Sequence, residues 1–148
     1  EKFINNTLYN LKKDLPKVKF LIIGNISRIK KFFLNKPSVE ILGPKRNISP
    51  FIKNCFCSLA NLEIATGVQG KVLTYMSFGL PVICSKKVAR NFGSNVISYK
   101  GDSELRKKII RVKNNKKVSN KFSKKSIWFA KKLDSKRMSS KYLQLLNF

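Results

Sequence analysis

The chain has 148 residues, the size of one domain or of one lobe of a two-domain enzyme, and its 43% hydrophobic content with 11 Phe excludes a disordered chain. Thirty-two Lys and Arg against seven Asp and Glu give a net charge of +25, which draws anions: nucleic acid, anionic lipid headgroups, polyphosphate or nucleotide. With no His and three Cys, the chain alone supplies no Ser-His-Asp or Cys-His pair, and it has no CxxC or Cys/His cluster for structural zinc.

The polar start, EKFINNTLYNLKKDL, has no signal-like apolar region and no initiating Met, so the sequence is expected to begin inside a longer protein. Within it, Phe3, Ile4, Leu8, Leu11 and Leu15 recur at helical spacing over 2–14, and Pro16 stops the helix. KVKFLIIG (17–24) is a continuous β-rich run, the pattern of a strand buried on both faces and ended by Gly24. Ser27–Leu34 reads as a helix with Ser27 as its N-cap. SVEILG (38–43) is a second strand, Ser49 caps a short helix to Asn54, and CFCSLA (55–60) is a third strand.

Gly67 then opens an amphipathic helix, Val68–Phe78, which Gly79 closes; Leu73, Met76 and Phe78 read as its core face. LPVIC (80–84) is a fourth strand, 86–91 a short helix, and NVISY (95–99) a fifth strand. Asp102 caps a helix to about Asn115 with its own carboxylate, and two more helical stretches follow near 120–132 and 134–147. The Lys-rich run 113–125 reads as a flexible connection, and Trp128 is expected to pack against the sheet. Cys55, Cys57 and Cys84 sit in apolar runs and read as small buried hydrophobes of a reducing compartment.

Strands alternating with helices predict an α/β fold: a Rossmann-like, doubly wound parallel sheet of about five strands. One domain is expected overall, with 1–115 as the nucleotide-binding lobe and 116–148 as helices packed on it. Ligands of such sheets bind at the carboxyl ends of the strands, here Gly24–Asn25, Gly43–Pro44, Asn61–Gly67 and Ser85–Lys86. Gly67-Val68-Gln69-Gly70-Lys71 brings helix N-terminal amides, two glycines and a cation to one such end, a ready phosphate site. Neither GxxxxGK(S/T) nor GxGxxG is present, and a glycine-started helix that merely packs on the sheet is the plain alternative.

Gly67–Ser85 (GVQGKVLTYMSFGLPVICS) resembles the signature of group 1, family-4-like retaining glycosyltransferases, in which a glycine-started helix runs into a KVLEAMAxGxPVV segment. VKFLIIGN, SVEILGPKRNISPFIKNC and NVISYKGDSELRKKI resemble further segments of the same family, so the likeness covers about 130 residues and is specific over 67–85. The resemblance implies the C-terminal, donor-binding lobe of a GT-B-fold enzyme of hexosyltransferase type, acting in polysaccharide or cell-envelope biosynthesis. It implies a nucleoside-diphosphate sugar as substrate, a glycan or lipid-linked acceptor, a separate N-terminal lobe, and neither metal nor cofactor. Carried over, Gly67, Val68 and Gln69 meet the diphosphate with Lys71 adding charge, Gly43–Arg46, including Lys45, lie towards the base, and Gly24 and Asn25 are further donor-binding positions. The family's two Glu, eight residues apart, hold sugar and ribose hydroxyls; here those positions are Thr66 and Thr74, and Glu63 is three residues early. No catalytic residue is thereby assigned.

Two alternatives stay open: a degenerate GT-B domain that binds without catalysing, and a small basic nucleic-acid-binding protein. Twenty-six Lys against six Arg, with 14 Asn, fit a coding bias with solvated Lys faces as well as a working polyanion or membrane surface. The expected location is cytoplasmic, with the inner face of the plasma membrane as a site of peripheral attachment.

Overall fold

The computed structural model describes residues 3–27, 36–60 and 69–133. A π-helical stretch, Phe3–Leu8, buries Leu8 and runs into α1 (Tyr9–Asp14), which buries Leu11 before Pro16 turns the chain. The apolar run then forms β1 (Phe20–Ile23), paired in parallel with β2 (Val39–Gly43) from Phe20↔Val39 to Ile23↔Gly43. Next come α2 (Ser49–Ile52), β3 (Ser58–Ala60), α3 (Gly70–Ser77) and β4 (Val82–Ser85). The chain continues through α4 (Lys86–Ala89), a 3-10 turn (Gly93–Asn95), β5 (Ile97–Tyr99), α5 (Asp102–Asn114) and α6 (Lys116–Lys132). The helix expected from Ser27 and the one expected over 134–147 lie outside the described residues, Ser27 itself excepted.

All described strand pairs are parallel, as the α/β alternation predicts, but they hydrogen-bond as two sets, β1-β2 and β3-β4-β5. One hydrophobic cluster nevertheless spans both. Leu8, Leu11, Ile83, Ile97, Leu105, Ile109 and Val112 form it, and Phe20, Ile22, Val39, Ile41, Phe56, Cys57 and Leu59 pack against it. Between β1 and the segment Phe56–Leu59 a cleft of about 920 Å³ stands in place of a ladder. A second cluster, Ala60, Val72, Met76, Val82, Cys84, Val88, Phe92 and Val96, joins α3 to the three-stranded set.

Several local expectations are corrected. Strand β3 begins at Ser58, because Cys55 closes a turn by donating its N–H to the Ile52 carbonyl. Cys84 is fully buried whereas Cys55 and Cys57 are half-buried. The N-terminus of α2 is held by Asn47, whose Oδ1 accepts the Ser49 N–H at 2.9 Å, so Ser49 is inside the helix instead of capping it. Gly101, at φ +80, takes the cap position before α5. There Glu104 reaches back to accept the Lys100 N–H at 2.8 Å, and Asp102 sits in the first turn.

Phe78 is 42% exposed while Met76 is fully buried and Leu73 packs beside it. At about 100° per residue Phe78 lies about 140° from Leu73 and about 160° from Met76, so it does not share their face. The run 113–125 is helical through most of its length. Asn115 ends α5 and starts α6, its Oδ1 accepting the Val118 N–H at 3.0 Å. Phe129, not Trp128, faces the core, with its ring 5.6 Å from that of Phe92; Trp128 is 59% exposed.

The turn after α3 is the point where α6 docks. Ser123 Oγ donates to the Gly79 carbonyl, and the fully buried Ser126 donates to the Leu80 carbonyl at 2.9 Å. Gly79 has φ +72, and a Cβ there would lie 3.1 Å from Ile127 Cδ1 and 3.3 Å from Ser123 Oγ. Gly79→Ala is therefore expected to lower unfolding free energy by about 1–2 kcal/mol, from left-handed strain plus displacement of α6. A urea titration followed by circular dichroism checks this, and an unchanged midpoint would refute it.

Candidate functional site

Carboxyl ends of parallel strands gather loops and helix N-termini, which is where this sheet offers polar groups to a ligand. At the first edge, β1 gives way to Gly24 at φ +138 and β2 ends on Gly43 at φ +66, both conformations that favour glycine. The Gly24 N–H donates to the Gly43 carbonyl at 2.9 Å, so these two expected site residues are brought together. A Cβ at either would meet nothing within 4 Å. Asn25, Lys45 and Arg46 are exposed around them, with Lys45 Nζ 5.7 Å from the centre of the Phe51 ring.

At the second edge, α3 begins after Gln69, whose backbone is extended (φ −76, ψ 110) and whose carbonyl accepts the N–H groups of Val72 and Leu73 at 3.0 and 3.2 Å. The amides of Gly70 and Lys71 precede that first bonded turn, where helix N–H groups point outward and the dipole favours an anion. No acidic residue occupies the first turn, Gly70 has open space where a Cβ would be, and Lys71 is exposed. The expected contacts Thr66, Gly67 and Val68, with Glu63, lie outside the described residues.

Thr74 is on α3, exposed, with its hydroxyl directed back along the helix: Oγ1 donates to the Gly70 carbonyl at 3.0 Å. Its one proton is thereby used, leaving lone pairs to accept. The structure thus ties Thr74 to Gly70 and Gly24 to Gly43, with no described contact between the two groups.

Burial pushes the Cys57 and Cys84 thiols up to about 12 and raises Cys55 as well, so none is a thiolate nucleophile at neutral pH. Among the described residues no group of His, Cys, Asp or Glu could hold a metal ion. The large cleft between β1 and the segment Phe56–Leu59 is lined by Phe20, Leu21, Phe56 and Cys57 among others, and it reaches Ile23 at the end of β1 and Phe51 of α2.

The groups that frame the lobe were hidden in the sequence. Glu104, Ser123 and Ser126 act through contacts that short-range spacing does not announce, apart from the Lys100–Glu104 interval of a helix-start bracket. Arg106 Nε donates to Asp14 at 2.6 Å, joining α5 to α1. That hydrogen bond holds the Asp14 carboxyl below its usual 3.8, and the Lys100 N–H holds Glu104 below 4.5. Depressed carboxyl values mean that stability is present above the unfolded values and lost as pH falls through the folded ones. The double variant Asp14→Asn, Glu104→Gln is expected to flatten the fall in melting temperature between about pH 5 and pH 2. An acid limb as steep as that of the parent would refute it.

The protein-family model described as Glycosyl transferases group 1 matches residues 2–115. No curated protein matches the sequence significantly. Among solved structures, the chain is similar to Anabaena HepE in complex with UDP and glucose, at 14% identity and a TM-score of 0.78, over 95% of this chain and 43% of that one. It is similar also to TarM, at 19% identity and TM-score 0.76, over 99% of this chain and 32% of that one. The GtfA/B complex matches at 16% identity and TM-score 0.77, over 98% and 32%. The chain therefore spans less than half the length of these proteins, and the shared fold is that of a GT-B Rossmann-like lobe. With the family model covering most of the sequence, the chain belongs to the group 1 glycosyl transferases.

Proposed function

We propose that this chain is the donor-binding lobe of its enzyme, holding a nucleoside-diphosphate sugar for transfer to a glycan or lipid-linked acceptor. The observation that carries the reading is the N-terminus of α3, open at Gly70, free of acids in its first turn and followed by Lys71. Amides and a cation placed there stabilise the charge that develops on the departing diphosphate without proton transfer or metal. Gly67, Val68 and Gln69 meet the diphosphate, Thr66 and Thr74 face the sugar and ribose hydroxyls, Gly43, Lys45 and Arg46 lie towards the base, and Gly24 and Asn25 complete the donor site. The solved HepE complex contains UDP and glucose, which supports a uridine donor as the first to try. Retention of configuration, a hexosyl donor, an N-terminal acceptor lobe and a cytoplasmic location complete the proposal.

Calorimetric titration with UDP-, GDP- and ADP-sugars tests it. One donor is expected to bind with a dissociation constant of about 1 μM to 1 mM, and Lys71→Ala to weaken it by about 5–10-fold. Absence of binding to all three, with tight salt-sensitive binding to DNA or RNA, would overturn the reading.

A second reading, a binding lobe without turnover, is favoured by one observation: the Thr74 hydroxyl donates to the Gly70 carbonyl. Donor binding by the full-length protein without sugar transfer would establish it.

A further inference from the structure

Helix α6 has two opposite faces. One is fixed to the lobe: Ser126 is fully buried with its hydroxyl on the Leu80 carbonyl, Ser123 bonds Gly79, and Phe129 packs on Phe92. The other carries Lys117, Lys121, Lys124, Trp128, Lys131 and Lys132, all exposed. At about 100° per residue these six fall within a sector of roughly 100°, centred about opposite Ser126, along some 25 Å of helix. The sequence of α6 has seven Lys and no Asp, Glu or Arg. The described ion pairs, Arg106–Asp14 and Lys108–Glu104, leave its lysines without an acidic partner among the described residues. In the stripe, Lys132 Nζ lies 5.3 Å from the centre of the Trp128 ring, and the indole is 59% exposed. Ile127, 38% exposed, borders it and covers Gly79, the residue after the exposed Phe78.

We propose that this face of α6 docks the lobe peripherally on an anionic lipid bilayer, with the lysines against the headgroups and Trp128 at the interface. Charge complementarity selects the occupant. Five ammonium groups in one line, with no acidic partner among the described residues, are drawn to a diffuse negative surface, and an exposed indole is suited to the boundary between headgroup and acyl chain. Nucleic acid is disfavoured because the stripe has no Arg for bidentate phosphate contact. No described helix is long and apolar enough to cross a membrane, so attachment by this face is lateral. The surface is independent of the donor site: a chain that binds vesicles but no nucleotide would keep the former and lose the latter.

The test uses the chain's one Trp as its own reporter. Vesicles of phosphatidylcholine with about one third phosphatidylglycerol are expected to shift Trp128 emission to shorter wavelength and to carry the protein in flotation, increasingly weakly as salt is raised. Pure phosphatidylcholine vesicles are expected to do neither. Lys117→Gln, Lys121→Gln, Lys124→Gln together should weaken flotation by at least about tenfold. The same number of exposed lysines neutralised elsewhere (Lys17→Gln, Lys19→Gln, Lys53→Gln) should change it less than about threefold. These lysines are exposed, so unchanged circular dichroism will separate lost docking from lost folding. The proposal falls on any of three results: no emission shift with anionic vesicles, equal weakening by the two triple variants, or tighter binding to a single-stranded RNA at the same salt.

Discussion

Phe92→Ala is expected to cost about 3–5 kcal/mol of unfolding free energy, a large share of the roughly 5–15 kcal/mol that holds a domain folded. The ring is 1% exposed and belongs to the cluster of Val72, Met76, Val82, Cys84, Val88 and Val96. It also meets Phe129 at 5.6 Å with a 56° tilt, so its loss opens a cavity between α6 and the three-stranded set. Most of the aliphatic neighbours there are valines, stiff at χ1, so collapse into the space is limited. Phe78→Ala is the informative contrast. That ring is 42% exposed, and its truncation is expected to cost less than about 1 kcal/mol. The pair is read by urea unfolding followed by circular dichroism, since Trp128 is already exposed and reports little on the core. Equal midpoint shifts for the two variants would refute the division of the aromatic residues between core and surface.

The same two residues show what was legible in the sequence. Strands declare themselves by apolar runs: β1, β2, β3 and β5 fall within the stretches those runs mark, and β4 overruns its stretch only by Ser85. Their parallel arrangement follows from the alternation with helices. The exposure of Phe78 was legible too, because the helical period sets it about 160° from the buried Met76, although apolar character alone suggests the same face. In α6 the polar face is so dense in Lys that composition suggests a loose connection, whereas Val118, Phe122 and Phe129 at helical spacing, with Ser126 buried among them, make it a packed helix. Capping was equally opaque: Asn47, Gly101 and Glu104 displaced Ser49 and Asp102, since several polar residues compete for each helix start and only geometry picks one. At the site, glycine positions were readable because φ restricts the choice at Gly24 and Gly43. The direction of the Thr74 hydroxyl was not, because a β-hydroxyl in a helix bonds backwards or outwards with similar energy.

That hydroxyl sets the last expectation: Thr74→Glu should strengthen binding of the preferred nucleotide sugar by about 10–100-fold. Thr74 donates its proton to the Gly70 carbonyl, so towards a ligand it offers one neutral oxygen that can only accept. A diol presents two donors. A carboxylate accepts both at once, and hydrogen bonds to a charged group contribute about 1.5–3 kcal/mol where a neutral one contributes about 1. The position is exposed, so the longer side chain meets no packing penalty. The new charge would lie one turn from Lys71, and pairing between them would lower the gain towards tenfold. Thr74→Gln separates charge from reach: it has an acceptor at the same distance but no charge, and should improve affinity by less than about threefold. Calorimetry of the three proteins with one donor decides the matter. If Glu and Gln bind alike, or neither binds better than Thr, residue 74 does not face the donor's hydroxyls and the binding geometry proposed for α3 must be redrawn.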